Sequence, residues 1–327
     1  MLVTGASGLV GSWLVKDLLR LEASVAVLVM DSDPQSELFR SGDVLRTTVF
    51  NGRLQDFSEV ERAVGVSEAD TVFHLAAQTL VGPARRAPLH TFESNIRGTY
   101  HVLEACRRHG EQVRRLVVAS SDKAYGDQPT LPYAESMPLL GRHPYDVSKA
   151  CADLLAQGYH RSYGLPVAVA RCGNIYGGGD LNWSRIVPGT IRSLLHGERP
   201  VLRSDGSFVR DYIYVRDIVH AYLTLAEQME ERGVAGEGFN FGHTKPLTVL
   251  QLCTIIGRLM KRAALRPDIR GSAQGEIHSQ YLSCEKASRS LGWRPRYGLE
   301  AGLKETIAWY RGYLSGRGAA RGSSRAL

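Results

Sequence analysis

Gly5-Ala6-Ser7-Gly8-Leu9-Val10-Gly11 is the stretch of sequence that decides the fold. It follows a short hydrophobic run at residues 2–4, which predicts a β-strand, and it precedes an amphipathic segment at 12–21, which predicts a helix. In this context the backbone N–H groups of the turn and the N-terminus of the helix face a pyrophosphate. The stretch therefore predicts the phosphate-binding turn of a dinucleotide site. A tight strand-to-helix turn without a ligand is the structural alternative.

Short valine-rich runs alternate with longer amphipathic segments through the first half of the chain. The runs have strand length and the segments have helix length, so the alternation predicts a parallel sheet covered by helices on both faces. The predicted strands are residues 2–4, 25–30, 47–50, 71–75, 116–120 and 167–171, and the helices include 12–21 and 91–108. We therefore expect an α/β fold, a Rossmann-type doubly wound parallel sheet.

The second half of the chain has a looser pattern. After about residue 173 come a Gly-rich loop, short strands near 201 and 239, and helices near 186–196, 247–260 and 299–314. We expect residues 1–172 to form the cofactor-binding domain, together with a returning segment at about 211–245. Residues 173–315 are expected to form mainly a smaller, interleaved α/β domain that binds the substrate. Residues 316–327 are expected to be a basic disordered tail.

The composition excludes several classes of protein. Of the 327 residues, 43% are hydrophobic and 22% are charged, as in a folded globular chain. The net charge of +7 is concentrated in the tail and predicts no nucleic-acid partner. No apolar run approaches the roughly 18 residues of a membrane span. The five cysteines are scattered singly without metal-ligand spacing, so we expect no metal site and a cytoplasmic, reducing environment.

Asp31 is the residue expected to select the cofactor. It lies at the end of the second predicted strand, about 20 residues after Gly11, where an acid can hydrogen-bond the adenosine ribose and repel a 2′-phosphate. This position favours NAD over NADP. The alternative is that Asp31 caps a helix or a turn.

A tyrosine and a lysine four positions apart are the candidate reaction centre. Tyr145 and Lys149 share one face of a predicted helix. Ser120 to Lys123 follow a predicted strand at the sheet edge where open α/β folds bind ligands. Tyrosine has a reference pKa near ~10, so it acts as a base near neutrality only where positive charge favours the phenolate. Lys149 and an oxidised nicotinamide ring would supply that charge.

These residues resemble the extended short-chain dehydrogenase/reductase family, specifically its NAD-dependent nucleotide-sugar epimerases and dehydratases. The resemblance covers nearly the whole chain. Besides the glycine turn and the tyrosine–lysine pair, it rests on the motifs His74-Leu75-Ala76-Ala77-Gln78, Asn95-Ile96-Arg97-Gly98-Thr99, Arg171-Cys172-Gly173-Asn174-Ile175-Tyr176-Gly177 and Arg210-Asp211-Tyr212-Ile213-Tyr214-Val215-Arg216-Asp217. It implies NAD as cofactor, a nucleoside-diphosphate-hexose as substrate, and a homodimer formed by helix 91–108 and the Tyr145 helix. Apolar dimer contacts are expected from Leu103, Ala152 and Leu155.

The resemblance also implies roles for individual residues. Ser121, Tyr145 and Lys149 would form the hydride-transfer triad. The residues expected to contact the cofactor are Gly5, Ser7, Gly8, Leu9, Val10, Gly11, Asp31, Leu54, Leu75, Ala76, Ala77, Gln78, Tyr145 and Lys149. Those expected to bind the substrate are Asn174, Arg185, Arg210 and Arg270. Alternatively, Asn174 could cap a turn, and Arg210 could pair with Asp211 or Asp217.

Asp122 and Lys123 give the finer assignment. Sugar 4-epimerases usually carry small or hydroxyl residues here, whereas 4,6-dehydratases carry an acid followed by a second proton-transfer group. A lysine as that second group is similar to the CDP-glucose 4,6-dehydratases. After oxidation at C4, one group must remove the acidified C5 proton and another must protonate the departing C6 hydroxyl, before hydride returns to C6. The predicted activity is therefore 4,6-dehydration, with CDP-glucose as the favoured substrate.

Three alternatives remain open at this point. A UDP-hexose 4-epimerase would use the same triad, and a non-catalytic NAD-binding sensor could be built on the same fold. Lys123 would need a pKa about 3 units below its reference value to act as a base at pH 7; otherwise it stays protonated and only binds the substrate.

Arg53 departs from the family, which commonly has an acid there to meet the adenine. His74, His143 and Cys172 lie near the motifs, and we expect them to be structural.

Overall fold

The computed structural model describes residues 1–243, 245–272 and 276–316. The predicted tail therefore lies outside the described residues, apart from Gly316. The strands are β1 (Leu2–Thr4), β2 (Ala26–Val29), β3 (Thr48–Asn51), β4 (Thr71–His74), β5 (Arg115–Ala119), β6 (Val167–Cys172), β7 (Asn174–Tyr176), β8 (Val201–Leu202), β9 (Val209–Arg210), β10 (Tyr212–Tyr214), β11 (Gly238–Phe241), β12 (Leu247–Thr248), β13 (Asp268–Ile269) and β14 (Ser279–Gln280). The α-helices are α1 (Leu9–Arg20), α2 (Glu37–Arg40), α3 (Phe57–Val66), α4 (Val81–Arg86), α5 (Pro88–Phe92), α6 (Gly98–Arg108), α7 (Pro144–Tyr163), α8 (Ile186–Leu195), α9 (Val215–Gln228), α10 (Val249–Leu259), α11 (Glu285–Leu291) and α12 (Leu299–Leu314).

A seven-stranded parallel sheet organises the molecule, in the order β11-β6-β5-β4-β1-β2-β3. One face is covered by α1 and α9, which bury Leu14 and Ile218. The other face is covered by α3, α6 and α7, which bury Val60, Val102 and Ala156. The predicted α/β fold with a doubly wound parallel sheet is confirmed. Strand β11, from the predicted returning segment, lies at the sheet edge beside β6.

The remaining strands form small sheets beside the carboxyl edge of the main one. They pair as β10 with β7, β12 with β9 and β14, and β13 with β8. A separate apolar cluster joins this part to helices α8, α10 and α12, through residues such as Ile191, Ile256 and Leu303. These small sheets and helices together form the smaller layer. It faces the carboxyl edge of the main sheet across a cleft.

The helix predicted at residues 91–108 is interrupted in the structure. Helix α5 passes into a π-helical turn at Glu93–Arg97 before α6 begins. A π-turn inserts one residue and shifts the register of a helix, and such turns are common at functional sites. Here the turn contains Asn95, whose side chain is buried. Sequence periodicity predicted the helix correctly but did not predict the inserted turn.

A buried guanidinium joins three elements of the fold. Arg171 on β6 donates to both carboxylate oxygens of Asp153 on α7, at 2.8 and 2.9 Å. It also donates to the hydroxyl of Tyr125, at 2.8 Å, in the 3-10 turn Asp122–Tyr125 that follows β5. That hydroxyl in turn donates to Asn240 on β11. Helix α7 and the turn after β5 are therefore held by the same side chain.

The proposed dimer contacts need a correction. Leu103 and Ala152 are 0% and 2% exposed and pack inside the chain, so the prediction that they form an intersubunit contact is wrong. Leu155 is half-buried against the same core. The sequence pattern marked them as apolar positions on helices without distinguishing the inward face from the outward one.

Two further findings concern membranes and metals. Within residues 1–243, 245–272 and 276–316, no helix has both the length and the apolar character that crossing a membrane requires. The same residues contain no group of three or more His, Cys, Asp or Glu side chains arranged to hold a metal ion. All five cysteines have free thiols.

Removing the partner of the buried guanidinium should destabilise the protein strongly. We expect Asp153→Ala to lower the free energy of unfolding by about 3–5 kcal/mol, because it leaves the charge of Arg171 buried and uncompensated. The exposed pair of Arg20 with Asp17 offers a matched control, and Asp17→Ala should cost less than about 1 kcal/mol. Urea unfolding measures both. Similar small losses for the two variants would contradict the importance of the Arg171 pair.

Candidate active site

A cavity of about 1200 Å³ lies along the carboxyl edge of the main sheet. Its walls come from the loops after β1, β2, β3, β4, β5 and β6 and from the smaller layer opposite. Of the predicted site residues, its lining includes Gly5, Ser7, Gly8, Leu9, Val10, Gly11, Asp31, Leu54, Leu75, Ala76, Ala77, Gln78, Ser121, Asp122, Lys123, Tyr145, Lys149, Asn174, Arg185 and Arg210. Residues predicted from separate motifs are thus brought together in one cleft.

The glycine turn packs so closely against other backbone segments that two of its positions have no space for a side chain. Gly5 has a φ of +72°, and a Cβ at this position would lie 2.6 Å from the backbone nitrogen of Ala76. A Cβ at Gly11 would overlap with the carbonyl oxygen of Gly5. The N-terminus of α1, which begins after Gly8, faces the cavity, and Gly5, Gly8 and Gly11 are among the lining residues. This backbone cradle fits the pyrophosphate of a dinucleotide.

Asp31 and Arg53 follow β2 and β3. Asp31 is exposed and lines the cavity, and Ser36 occupies the N-cap position of the next helix, α2, so Asp31 does not cap that helix. The backbone N–H of Arg53 donates to the carboxylate of Glu59. The cavity wall here consists of Gly52, Leu54 and Gln55. The carboxylate of Glu59, on α3, thus lies next to residue 53, the position where the family commonly has an acid.

His74 is a structural residue, as expected. Its Nδ1 lies 2.8 Å from the hydroxyl of Thr4, and its Nε2 lies 3.0 Å from the hydroxyl of Thr99. The Thr99 hydroxyl donates to the carbonyl of Asn95, so it accepts from Nε2, and Nδ1 accepts from Thr4. Burial, with the nearby charge of Lys149, lowers the pKa of His74 to about 3. The neutral ring links β1, β4 and α6 below the cofactor cradle.

Asn95 connects the cofactor side of the cleft to α7. Its side-chain oxygen accepts from the backbone N–H of Gln78 at 2.7 Å, and its amide donates to the carbonyl of Gln78 and to the hydroxyl of Ser148. Ser148 donates to the carbonyl of Tyr145. The sequence motif contained Asn95, but this positioning role was not predicted, because it depends on the π-turn.

Tyr145 and Lys149 lie one helical turn apart on α7. The ammonium of Lys149 donates to the carbonyl of Ala119 at the end of β5, at 2.8 Å, and burial lowers its pKa to about 8. Burial raises the pKa of Tyr145 to about 12, with the hydroxyl of Ser121 acting in the opposite direction. The sequence argument assigned the charge that favours the phenolate to Lys149 and an oxidised nicotinamide ring; in the structure, burial is the largest influence on the pKa of Tyr145, and the nearby positive charge that lowers this pKa is that of Arg185. Tyr145 therefore needs further positive charge in the cleft to become a phenolate near neutral pH.

Asp122 and Lys123 begin the 3-10 turn after β5. Asp122 is 2% exposed, and one of its carboxylate oxygens accepts from the hydroxyl of Ser121 at 2.9 Å. The other oxygen lies 3.7 Å from the ammonium of Lys123 and, among the described residues, has no hydrogen-bond partner. Burial lowers the pKa of Lys123, while Asp122 acts in the opposite direction. The lysine also donates to the side-chain oxygen of Gln280.

Cys172 is a protonated thiol in the same wall. Burial raises its pKa to about 12, so the thiolate that would be needed for nucleophilic chemistry is disfavoured. The expectation of a structural role is consistent with this environment.

The predicted substrate residues have different surroundings. Asn174 is at the start of β7, and its amide nitrogen is buried without a hydrogen-bond partner in the described residues. Arg185 donates to Asp180 at 3.0 Å and to Thr79 across the cleft at 3.3 Å. Arg210 pairs with Glu276 at 3.8 Å. These three residues line the cavity.

Arg270 is not with them. It lies after β13, and its exposed guanidinium pairs with Asp268 at 2.9 Å. It is absent from the described lining of the cavity. The sequence offered no register for this loop, so the prediction that Arg270 joins the substrate site has no support from its position. Asp217, an alternative partner considered for Arg210, instead accepts the backbone N–H groups of Arg296 and Tyr297.

Several lining residues were missed by sequence reasoning. Asp146, next to Tyr145, is 5% exposed, and burial raises the pKa of its carboxyl. Other unpredicted lining residues include Thr79, Arg85, Tyr176, Tyr212, Tyr222 and Glu276. They come from loops and from the smaller layer, where neither periodicity nor spacing fixes which side chains face the cleft.

Comparison with known proteins gives a consistent result. A family model described as "NAD dependent epimerase/dehydratase family" matches residues 1–242. The chain is 30% identical over 339 residues to CDP-glucose 4,6-dehydratase of Salmonella typhimurium, covering 96% of this chain and 91% of that protein. It is 33% identical to dTDP-glucose 4,6-dehydratase of Streptomyces antibioticus, covering 95% and 92%.

Solved structures show the same pattern. UDP-glucose 4-epimerase of Thermotoga maritima superposes with a TM-score of 0.87 at 29% identity, covering 96% of this chain and 99% of that one. The dTDP-glucose 4,6-dehydratase of Streptomyces venezuelae, solved with NAD bound, gives 0.85 at 29% identity, covering 95% and 96%. The fold is thus shared by enzymes named for two different reactions.

The buried neutral His74 predicts a pH dependence of stability. Its pKa is about 3 in the folded protein, against about 6.5 when unfolded, so the unfolded state binds the extra proton in that interval. As pH falls below about 6.5, His74 should therefore lower the free energy of unfolding by about 1.4 kcal/mol per pH unit. Urea unfolding at several pH values should show a shallower slope for His74→Asn. The exposed His196→Asn is the control, and equal slopes for His74→Asn and wild type would refute the assignment.

Proposed function

The chain belongs to the NAD-dependent epimerase/dehydratase family, and we propose that it is a nucleoside-diphosphate-hexose 4,6-dehydratase, a lyase, with CDP-glucose as its substrate. The observation that carries the proposal is that the buried Asp122 and the half-buried Lys123 line the same cleft as Tyr145. The reaction needs two proton-transfer groups besides the tyrosine, and these two side chains are the candidates. CDP-glucose is favoured as the substrate because a lysine at position 123 is similar to the residue found there in the CDP-glucose 4,6-dehydratases.

The residues that line the cofactor side of the cleft would hold NAD as follows. The backbone of Gly5, Gly8 and Gly11 would face the pyrophosphate, Asp31 the adenosine ribose, and Ala76 and Ala77 the path toward the nicotinamide. Bound there, NAD would supply a hydride acceptor for oxidation at C4 and the matching hydride donor for reduction at C6.

Oxidation at C4 is assigned to three residues of the chain. The phenolate of Tyr145 takes the proton of the C4 hydroxyl, and Ser121 hydrogen-bonds the same oxygen. Lys149, anchored on the carbonyl of Ala119, contributes positive charge near the phenolate. Its lowered pKa of about 8 leaves it mostly charged at neutral pH.

Elimination of water is assigned to Asp122 and Lys123. The 4-keto group acidifies the C5 proton, which the neutral amine of Lys123 removes as the C6–O bond breaks. Asp122 delivers a proton to the departing hydroxyl, so the leaving group is water. Burial of Lys123, which lowers its pKa, supports this use of the amine as a base. As hydride returns to C6, the proton held by Lys123 returns to C5, and the proton that Tyr145 took from the C4 hydroxyl passes to Asp122, so that all three side chains regain their starting protonation states.

The diphosphate of the substrate is assigned to the opposite wall. Arg210 would form a charge-assisted hydrogen bond with a phosphate oxygen, and Arg185 is close enough to the cleft mouth to add a second. The unpartnered amide of Asn174 supports a contact with the substrate rather than a turn cap.

Two other functions compete with this one. A 4-epimerase is favoured by the high structural likeness to UDP-glucose 4-epimerase. However, epimerisation returns hydride to C4 and has no use for a second acid–base pair, so Asp122 and Lys123 speak against it. A non-catalytic NAD sensor is disfavoured because Ser121, Tyr145 and Lys149 are together in one cleft.

The activity can be tested by incubating the purified protein with NAD and with CDP-, TDP-, UDP- and GDP-hexoses. Mass spectrometry of the products distinguishes the three functions. A dehydratase removes the mass of one water from the accepted nucleotide sugar, an epimerase gives an isomer of equal mass, and a sensor gives no product.

Substitutions should separate oxidation from elimination. Tyr145→Phe should yield neither reduced cofactor nor dehydrated product, because the first step lacks its base. Asp122→Asn and Lys123→Met should still oxidise C4 and then stall before water is lost, with dehydration reduced at least about a hundredfold. Rapid-mixing absorbance of the reduced cofactor, paired with the mass of the quenched product, measures both steps.

The exposed residues Asp127 and Lys304 provide matched controls for that experiment. Asp127→Asn and Lys304→Met make the same chemical changes at exposed positions outside the described lining of the cavity and should behave like the wild type. Near-normal dehydration by Lys123→Met would make Lys123 a binding residue and favour the epimerase.

The cofactor preference should depend on Asp31. We expect NAD to raise the melting temperature more than NADP, and Asp31→Ser to narrow that difference, because the carboxylate no longer repels the 2′-phosphate. The nearby exposed Asp33→Asn is the control. Thermal-shift curves decide the point, and greater stabilisation of the wild type by NADP would exclude this role for Asp31.

A homodimer is proposed on the outer faces of α5 and α7. Leu89 and Leu154 are 71% and 58% exposed on these helices and are apolar positions that could contact a second copy. Leu154→Glu should therefore convert the dimer into a monomer in light scattering, whereas Leu45→Glu, on an 89% exposed residue of a separate turn, should not. A monomeric wild type at micromolar concentration would contradict the proposal.

A further inference from the structure

Gln280 makes an unexpected contact with the catalytic turn. It lies on β14 in the smaller layer and is 0% exposed. Its side-chain oxygen accepts from the ammonium of Lys123, and its amide donates to the backbone carbonyl of Asp122 at 2.8 Å. Both ends of one amide are thus used on the turn that carries the two elimination residues, although Gln280 is 157 positions away from Lys123.

The strand that carries Gln280 also adjoins the strand of Arg210. Strands β14 and β9 are parallel, with Gln280 directly paired with Arg210. The guanidinium of Arg210 donates to the carbonyl of His278, just before β14, at 3.0 Å. The position of Lys123 is therefore tied to the strand that would hold the substrate diphosphate.

Lys123 is surrounded by charged side chains, so the charge of its hydrogen-bond partner influences whether the lysine is protonated. Asp122 faces it from its own turn, Asp146 from α7 and Glu276 from the segment before β14, while Arg210 faces it from β9. A further carboxylate would favour the protonated ammonium, whereas an amide oxygen orients the amine without adding charge. The group that hydrogen-bonds the lysine is the amide of Gln280.

We propose that Gln280 is a positioning residue: it orients the Lys123 amine for removal of the C5 proton and couples this orientation to the strand that carries Arg210. The inference rests on the proposed function, because it assigns a supporting role to the base of that reaction. Gln280 itself touches neither the hexose nor the cofactor in this account.

The kinetic test uses Gln280→Leu, which has a similar volume and forms neither hydrogen bond. We expect C4 oxidation to remain within about twofold of the wild type and loss of water to slow at least about tenfold, with the 4-keto-hexose accumulating. The double variant with Lys123→Met should be no slower than Lys123→Met alone, because both changes remove one function. Full additivity of the two losses would overturn the proposal.

A second measurement follows the lysine itself. In protein carrying ¹³C-labelled lysine, the Lys123 signal is assigned by its loss in Lys123→Met and titrated by NMR. Gln280→Glu adds a negative charge and should raise the pKa of Lys123, whereas Gln280→Leu removes an acceptor for the ammonium and should lower it. In the pH profile of the dehydration rate, the acidic limb should shift to higher pH in Gln280→Glu and to lower pH in Gln280→Leu, as the Lys123 pKa does. An unchanged Lys123 pKa in both variants would show that the side chain at position 280 does not contact the lysine, which would overturn the proposal.

The controls separate this inference from the proposed function. Gln228→Leu removes a glutamine of α9 that is outside the described cavity lining, and it should leave the rates and the Lys123 pKa unchanged. If Lys123→Met dehydrates normally, the proposed base is wrong. If Lys123→Met stalls while Gln280→Leu behaves like the wild type, the base stands and the role of Gln280 is refuted. Should Gln280→Leu fold poorly, the Gln280→Glu titration decides alone.

Discussion

The buried guanidinium of Arg171 is the constraint on which the site depends. It binds Asp153 on α7 and Tyr125 in the turn after β5, and the exposed fractions of the Arg171 and Asp153 side chains are 5% and 0%. Buried charges of this kind are retained when their partners and hydrogen bonds are complete. Helix α7 carries Tyr145 and Lys149, and the turn carries the elimination pair. The two halves of the proposed chemistry are therefore positioned relative to one side chain of the sheet.

The two walls of the cleft are built from different chemical groups. On the sheet side, backbone groups and glycines form the cofactor cradle. A Cβ added at Gly5 or Gly11 would collide with adjacent backbone atoms of the same chain. On the opposite side, the long polar side chain of Arg210 comes from a short strand, and the adjoining strand carries Gln280. Burial is the common influence on the titratable groups between them, raising the pKa of Tyr145 and lowering that of Lys149. Ligand binding would add the remaining charge.

The sequence predicted what is local and periodic. The parallel sheet, the glycine turn and the spacing of Tyr145 and Lys149 each follow from residues adjacent in the chain or one helical turn apart. The role of Gln280 could not be predicted, because it depends on a contact between segments far apart in sequence. Leu103 was misassigned for a related reason: a helical pattern reveals an apolar face but does not show whether the chain itself or a partner covers it. Arg270 belongs to a loop whose course no pattern fixes.

The central claim is that hydride leaves C4 and returns to C6 after water has been lost. Glucose deuterated at C4, supplied as its CDP derivative together with the protein and NAD, follows this transfer directly. The account predicts a 4-keto-6-deoxy product whose new methyl group carries the deuterium, as seen by NMR and mass spectrometry. Deuterium retained at C4 of an isomer with unchanged oxygen content would contradict it and identify the enzyme as an epimerase.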